Sequence, residues 1–395
     1  MFKAELKDPT MNAENTLETL RAIALQFAPN PSSHPSPLKI ESFGNGNIND
    51  TFLVNAAINS KVDSEANSET RFVLQRINTQ VFLQPKLVMQ NMRVFTEHVQ
   101  NRLTCDPLRP DCNWQVPQVL LTQRGEDHWI DGAGQFWRAI SFIEASQTFD
   151  TIQDLDHAQE IGIALGTFHR LVSDLPVENL VDTLEGFHIT PSYLQIYDGI
   201  LAAAHNGLPQ SPEVRYCLQF VGDRRTLTTV LEDAKALGKL PIRTMHGDPK
   251  VNNVMFDATT RSAISMIDLD TVKPGLIHYD VGDCLRSACN PLGEETDQWE
   301  QVRFETDLGE AILQGYLSAS GSFLTDNDHD YLYDAIRLIA FELGLRFFTD
   351  YLAGNVYFKV KHPTHNLERA LVQFKLTESI EHQASTLRTL LQNLR

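Results

Sequence analysis

Hydrophobic positions change their rhythm about a third of the way along the chain. Residues 15–28 read as a short helix, and Pro29, Pro31, Pro35 and Pro37 forbid its continuation. Runs rich in β-branched and aromatic residues then predict strands at Leu38–Phe43, Thr51–Asn55 and Arg71–Ile77. The first two flank Gly44-Asn45-Gly46-Asn47 and the last two flank the polar stretch 56–70, which is the order of an antiparallel meander. Leu87, Met89, Met92, Phe95 and Val99 predict a helix over 85–103, and Val116–Thr122 and Phe136–Ile143 predict two further strands. Beyond about residue 150 helical patterns dominate, as in Ile161, Leu165, Phe168, Leu171 and Val172. The pattern is that of an α+β protein. A β-rich lobe would occupy residues 1–143 and a mainly helical lobe residues 144–395, with the boundary near Glu144–Thr151.

Composition narrows the class of partner. The chain has 395 residues, 42% of them hydrophobic, enough for a sizeable core in two lobes. Its formal net charge of −18 repels phosphate backbones and anionic membranes, which argues against nucleic acid or lipid as a partner. A single nucleotide with its cation is still compatible, because a local site overrides the global field. No apolar run approaches the roughly eighteen residues of a membrane span; the most apolar late segment, 338–352, is broken by Glu342, Arg346 and Asp350. The first residues carry charge of both signs with no apolar run behind them, so no signal peptide is expected. Cys105, Cys112, Cys217, Cys284 and Cys289 include no C-x-x-C pair and fit reduced thiols, so the expectation is a soluble cytoplasmic protein.

The densest chemical signal is Met245-His246-Gly247-Asp248-Pro249-Lys250-Val251-Asn252-Asn253, followed by Met266-Ile267-Asp268-Leu269-Asp270. The runs Val254–Asp257 and Ser262–Ile267 between them read as a hairpin around Ala258-Thr259-Thr260. One carboxylate and one amide therefore leave a loop, and a second carboxylate closes a hairpin. Phosphoryl transfer needs such parts: a carboxylate that orients the acceptor hydroxyl, and two oxygen ligands for a Mg²⁺ that bridges the phosphates. On that reading Asp248 is the base, and Asn253 and Asp268 hold the metal. Either motif alone is an ordinary turn; their spacing, with a glycine turn upstream, carries the argument.

These residues resemble the aminoglycoside phosphotransferase and choline kinase superfamily, with its two-lobed protein-kinase-like fold. Within it the sequence is most similar to the N-acetylhexosamine 1-kinases. The likeness runs through Phe43–Asn49, Val73–Thr79, the two motifs above, Tyr279-Asp280-Val281-Gly282-Asp283 and Arg346–Leu352. It implies that Gly44 and Gly46 let the backbone close over a triphosphate, and that backbone groups near Ser141 and Ile143 read the adenine. It implies a nucleotide-site role for Gln75, which stands where kinases carry a strand lysine. The missing charge would come from Lys250, for which a solvated loop lysine is the plain alternative. Glu97, on the helix after the third strand, has no lysine to pair with. The resemblance also makes Arg346 and Tyr357 sugar-binding residues, with Asn47, Asn49 and Asp248 reaching the same sugar. For Arg346 an ion-pair ladder with Glu342 and Asp350, each four residues away, is the alternative.

The implied reaction is transfer of a phosphoryl group from ATP to the anomeric hydroxyl of N-acetylglucosamine or N-acetylgalactosamine. Two rivals stand beside it. The same chemistry could act on an aminoglycoside, choline or another amino-alcohol, which the acidic surface would favour and Arg346 would oppose. A nucleotide-binding pseudokinase is the other, with Gln75 as its support.

Overall fold

The computed structural model describes residues 13–28, 38–44, 48–57, 69–105, 113–204, 207 and 209–395. Pro29, Pro31, Pro35, Pro37, Asn45, Gly46, Asn47 and Cys112 lie outside them. The chain divides into two compact units, Met1–Glu97 with Pro117–Glu144, and His98–Val116 with Ala145–Arg395.

In the first unit, α1 (Ala13–Phe27) precedes strands β1 (Lys39–Ser42), β2 (Asp50–Ala57) and β3 (Glu69–Ile77). Helix α2 (Pro85–Cys105) leads to β4 (Val119–Leu120), β5 (Trp129–Ile130) and β6 (Phe136–Ser141). The sheet is antiparallel in the order β1-β2-β3-β6-β4, and β5 also pairs with β6. Alternation along each strand separates its two faces. Phe72, Leu74, Trp137 and Ala139 join Ile23, Ala24 and Phe27 of α1 in one core, so Gln75 and Arg138 face the other way. The strand expected over 116–122 is reduced to two residues. Pro117 has no N–H to give a ladder, and Thr122 turns the chain through its bond to Glu126.

The second unit is mainly helical. Its helices are α3 (Leu155–Leu171), α4 (Thr190–Ala203), α5 (Pro212–Asp223), α6 (Val230–Ala236), α7 (Ile277–Ala288) and α8 (Thr306–Ser320). They are followed by α9 (Asp326–Asp330), α10 (Leu332–Leu352), α11 (His365–His382) and α12 (Ala384–Asn393). Three short ladders complete it. Strand β7 (Ser146–Gln147) pairs with β9 (Val254–Asp257), β9 with β10 (Ala263–Met266), and β8 (Arg243–Met245) with β11 (Lys273–Gly275). The β9–β10 hairpin is the one expected from the sequence. Asp257 turns it by accepting the N–H groups of Thr259 and Thr260 at 2.8 and 2.7 Å. Phe341, Leu345 and Phe348 of α10 are buried with Phe220 and Phe374. No helix among the described residues is long and apolar enough to cross a membrane, and Cys105, Cys217, Cys284 and Cys289 are free thiols.

Candidate active site

The loop after β8 is held from below by one buried carboxylate. Asp280 of α7, fully buried, accepts the backbone N–H of His246 at 2.6 Å and of Gly247 at 2.8 Å. His169 Nε2 lies 2.9 Å from the same carboxylate. Charge-assisted bonds of this kind contribute roughly 1.5–3 kcal/mol each. The His246 ring closes the loop on itself. Its Nδ1 accepts the Asp248 N–H at 3.3 Å, so Nε2 carries the proton and donates to the Ile267 carbonyl at 3.0 Å. Burial lowers the His246 pKa, in keeping with that neutral ring. Gly247 has to be glycine, because its φ is 89° and a Cβ there would meet the Thr271 carbonyl oxygen at 2.7 Å.

Asp248 and Asn253 leave this loop as a unit. The Asn253 amide donates to the Asp248 carbonyl at 2.8 Å, which leaves its Oδ1 as the atom a cation would use. Asp268, at the end of β10, has φ 62° and ψ 55°, a left-handed conformation that few non-glycine residues adopt. Its side chain is exposed. One carboxylate and one amide oxygen suit Mg²⁺, which takes one or two protein ligands and completes its shell with water and phosphate. No group of three or more metal-binding His, Cys, Asp or Glu side chains occurs among the described residues.

Lys250 is neither free nor simply solvated. Its Nζ lies 2.9 Å from Asp248 Oδ2. Burial works against its charge, but Asp248 and Asp283 outweigh burial and raise its pKa. Asp283 is itself bonded to the buried Arg286, whose Nε is 2.8 Å away. The signature at 279–283 therefore grips the loop through Asp280 and frames it with charge through Asp283.

The ladder considered for Arg346 does not form, because both carboxylates have other partners. Glu342 takes His188 Nδ1 at 2.8 Å and the Thr190 hydroxyl at 2.6 Å. Asp350 accepts the N–H groups of Val356, Tyr357 and Phe358 at 2.9, 2.8 and 2.9 Å, and the Asn366 amide at 2.8 Å. Arg346 is left among rings: its guanidinium carbon is 4.9 Å from the Tyr193 ring centroid, 5.5 Å from Phe358 and 5.6 Å from Phe187. Burial works against its charge, but Tyr193, the Glu342 carboxylate, Tyr357 and Asp283 together outweigh burial and raise its pKa. Tyr357, the chain neighbour of Phe358, is 69% exposed.

In the first unit, Gln75 has a cation beside it. Arg138 stands opposite on β6 and donates to Gln75 Oε1 through Nε at 2.9 Å and Nη2 at 2.7 Å. That fixes the amide, whose Nε2 donates to the Thr51 hydroxyl at 3.1 Å. Glu97 pairs instead with Arg93 on the exposed side of α2. Ser141 has its N–H and hydroxyl oxygen engaged with Gln118 at 2.8 and 2.9 Å, while Ile143 is buried. Asn49 Oδ1 accepts the Asn78 N–H at 2.9 Å. Gly44, with φ 74°, turns the chain where a glycine was expected.

Two residues escaped sequence reasoning. Arg138 had a signal, a lone charge in the otherwise apolar-leaning strand Phe136–Ser141. His188 had none, since its partners lie 59 and 154 residues away.

A sheet unit followed by a helical unit, with a carboxylate loop ahead of a hairpin, is the kinase-like fold of the small-molecule phosphotransferases. The chain belongs to the phosphotransferase enzyme family (APH), which it matches over residues 39–320. Solved structures share the fold at low identity. An aminoglycoside phosphotransferase from Alicyclobacillus acidocaldarius is 13% identical, covering 98% of each chain, with a TM-score of 0.59. A choline kinase from Cryptosporidium parvum is 14% identical, covering 95% of this chain and 99% of its own, with a TM-score of 0.57. A microcompartment-associated aminopropanol kinase is 16% identical over 89% and 94%, with a TM-score of 0.54.

Proposed function

We propose that this phosphotransferase moves the γ-phosphoryl group of ATP to the anomeric hydroxyl of an N-acetylhexosamine, giving the sugar 1-phosphate and ADP. The observation that carries the choice of acceptor is the surroundings of Arg346. Aromatic rings beside an acceptor are what a choline or amino-alcohol kinase would use to hold its cationic substrate. Here Tyr193, Phe187 and Phe358 already surround a cation of the protein's own. That supports a neutral acceptor whose oxygens take hydrogen bonds from Arg346 and Tyr357.

Asp248 orients the acceptor hydroxyl and takes its proton as the oxygen attacks the γ-phosphorus. The new O–P bond forms as the bond to the β-phosphate oxygen breaks, and ADP departs with the negative charge. Lys250 offers a positive charge beside the transferred group. A Mg²⁺ would neutralise the phosphate oxygens, and Asn253 Oδ1 and the Asp268 carboxylate are the groups that would hold it. The pair of Gln75 and the buried Arg138 supplies a guanidinium in the sheet unit, which weighs against the pseudokinase alternative.

ADP release with Mg²⁺-ATP is the test, against N-acetylglucosamine, N-acetylgalactosamine, simple hexoses, choline and an aminoglycoside. Turnover on the N-acetyl sugars, abolished in their methyl glycosides, is expected. Turnover confined to choline or the aminoglycoside would overturn the sugar assignment and keep the reaction class. Nucleotide binding with no turnover on any acceptor would favour the pseudokinase.

A further inference from the structure

We propose that His188 is a doubly protonated positioning residue, an imidazolium that ties the acceptor helix α10 to the peptide in front of Asp248. The inference rests on the reading of Asp248 as the base and of α10 as the acceptor helix. His188 is buried, and each ring nitrogen faces an acceptor: Nδ1 is 2.8 Å from Glu342 Oε1, and Nε2 is 3.0 Å from the Gly247 carbonyl oxygen. A neutral imidazole has one N–H and one lone pair, so it would turn that lone pair toward an oxygen. Against an ionised Glu342 carboxylate, only the two-proton form satisfies both contacts.

The groups facing the ring agree with that form. Glu342 comes from α10, and Asp283 and Tyr279 from α7, while Tyr193 of α4 meets the His188 backbone; the Tyr279 ring stacks on His188 at 5.5 Å. Burial alone would lower the His188 pKa, but the Glu342 carboxylate outweighs burial and raises it. The backbone at His188 is left-handed, with φ 64°, an uncommon conformation that the surrounding bonds hold in place.

The linkage defines the role. His188 donates to the Gly247 carbonyl and His246 Nδ1 accepts the Asp248 N–H, so the Gly247–Asp248 peptide is clamped from both polar ends, while Asp280 holds the two N–H groups before it. Glu342 sits one helical turn before Arg346. The carboxylate that holds His188 and the guanidinium proposed to meet the acceptor are therefore on one face of one helix. A displacement of the base by about an ångström is enough to cost on the order of 100-fold in rate.

The test begins with the unaltered protein labelled with ¹⁵N at histidine and aspartate. His188 is expected to show both ring N–H protons from pH 6 to pH 8, without nucleotide or acceptor present. A single-proton ring at pH 7 would overturn the proposal. In Glu342→Gln the ring should lose one proton at pH 8 and the Asp248 amide resonance should move. Its kcat on a hydroxyl acceptor should fall about 10- to 100-fold at pH 8 and recover as the pH is lowered below about 6.5, the ordinary histidine value. His188→Gln, which can still donate to Gly247, should retain more activity than His188→Leu. A folded Glu342→Gln whose pH profile superposes on wild type, or a His188→Leu variant with wild-type kcat, would sink the idea. Because the ring protons are read without substrate, a protein that kept both but phosphorylated no sugar would count against the sugar reading alone.

Discussion

The loop that carries Asp248 and the surroundings of Arg346 lie in the same helical unit and are built on opposite plans. The loop is fixed by directional bonds: Asp280 on its N–H groups, His188 on a carbonyl, Asn253 on the next carbonyl, and His246 bridging to Ile267. Around Arg346 ring faces lie against the guanidinium while Glu342 and Asp283 act on it only through space, and ring–cation attraction tolerates sliding and tilting. The difference separates two tasks. On the proposed assignment, transfer chemistry at Asp248 needs one geometry, whereas acceptor recognition at Arg346 needs a charge left available to a ligand.

That contrast can be broken at four places, in descending order of effect. Asp248→Asn removes the proposed base and leaves the loop bonds through its backbone intact; kcat should fall by about 10²–10⁴ with ATP affinity nearly unchanged, as read by single-turnover kinetics and nucleotide titration. Full turnover in that variant would mean that another group takes the proton. Arg346→Ala should raise the acceptor KM by roughly 10- to 100-fold, the worth of hydrogen bonds to a charged group, with ATP KM unchanged; an unaltered acceptor KM would remove Arg346 from the site. Asp350→Ala should release the backbone of Val356, Tyr357 and Phe358, costing about 1–3 kcal/mol of stability and raising acceptor KM a few-fold. Both are measurable by denaturant titration and steady-state kinetics.

The smallest effect lies beyond the rings. Burial would raise the Glu295 pKa, but hydrogen bonds from Lys361 and Arg369 hold it down at about 2. A carboxylate depressed in the folded state stabilises the fold above its ordinary value of 4.5, and that contribution is lost as pH falls toward about 2. The group is 37% exposed, so solvent screens much of it. Glu295→Gln should flatten the acid limb of Tm against pH slightly, with no change in kcat at pH 7.5.

Much of the loop was legible in the sequence, because its signals are local. Gly247 is needed where the backbone turns left-handed against Thr271, and the hairpin between Asn253 and Asp268 follows from Asp257 and the runs on either side. The bonds around Arg346 were not. Its i±4 spacing to Glu342 and Asp350 suggested a ladder worth about 0.3–0.5 kcal/mol, which buried bonds to His188, Thr190 and three backbone amides easily exceed. Those partners come from distant segments or from a loop whose path no local rule states. Arg138 lay between these cases. Its strand was predicted, but the register that sets it opposite Gln75 depends on a pairing 63 residues apart.

The rings around Arg346 also suggest how this scaffold could change its trade. Three aromatic faces now shield a guanidinium that belongs to the protein, like a berth with its own vessel moored in it. Taking that one side chain away would leave the berth open to a cation arriving from outside. If the acceptor is the proposed sugar, the step to a cationic acceptor on such a scaffold would be a deletion of charge, with the catalytic loop untouched.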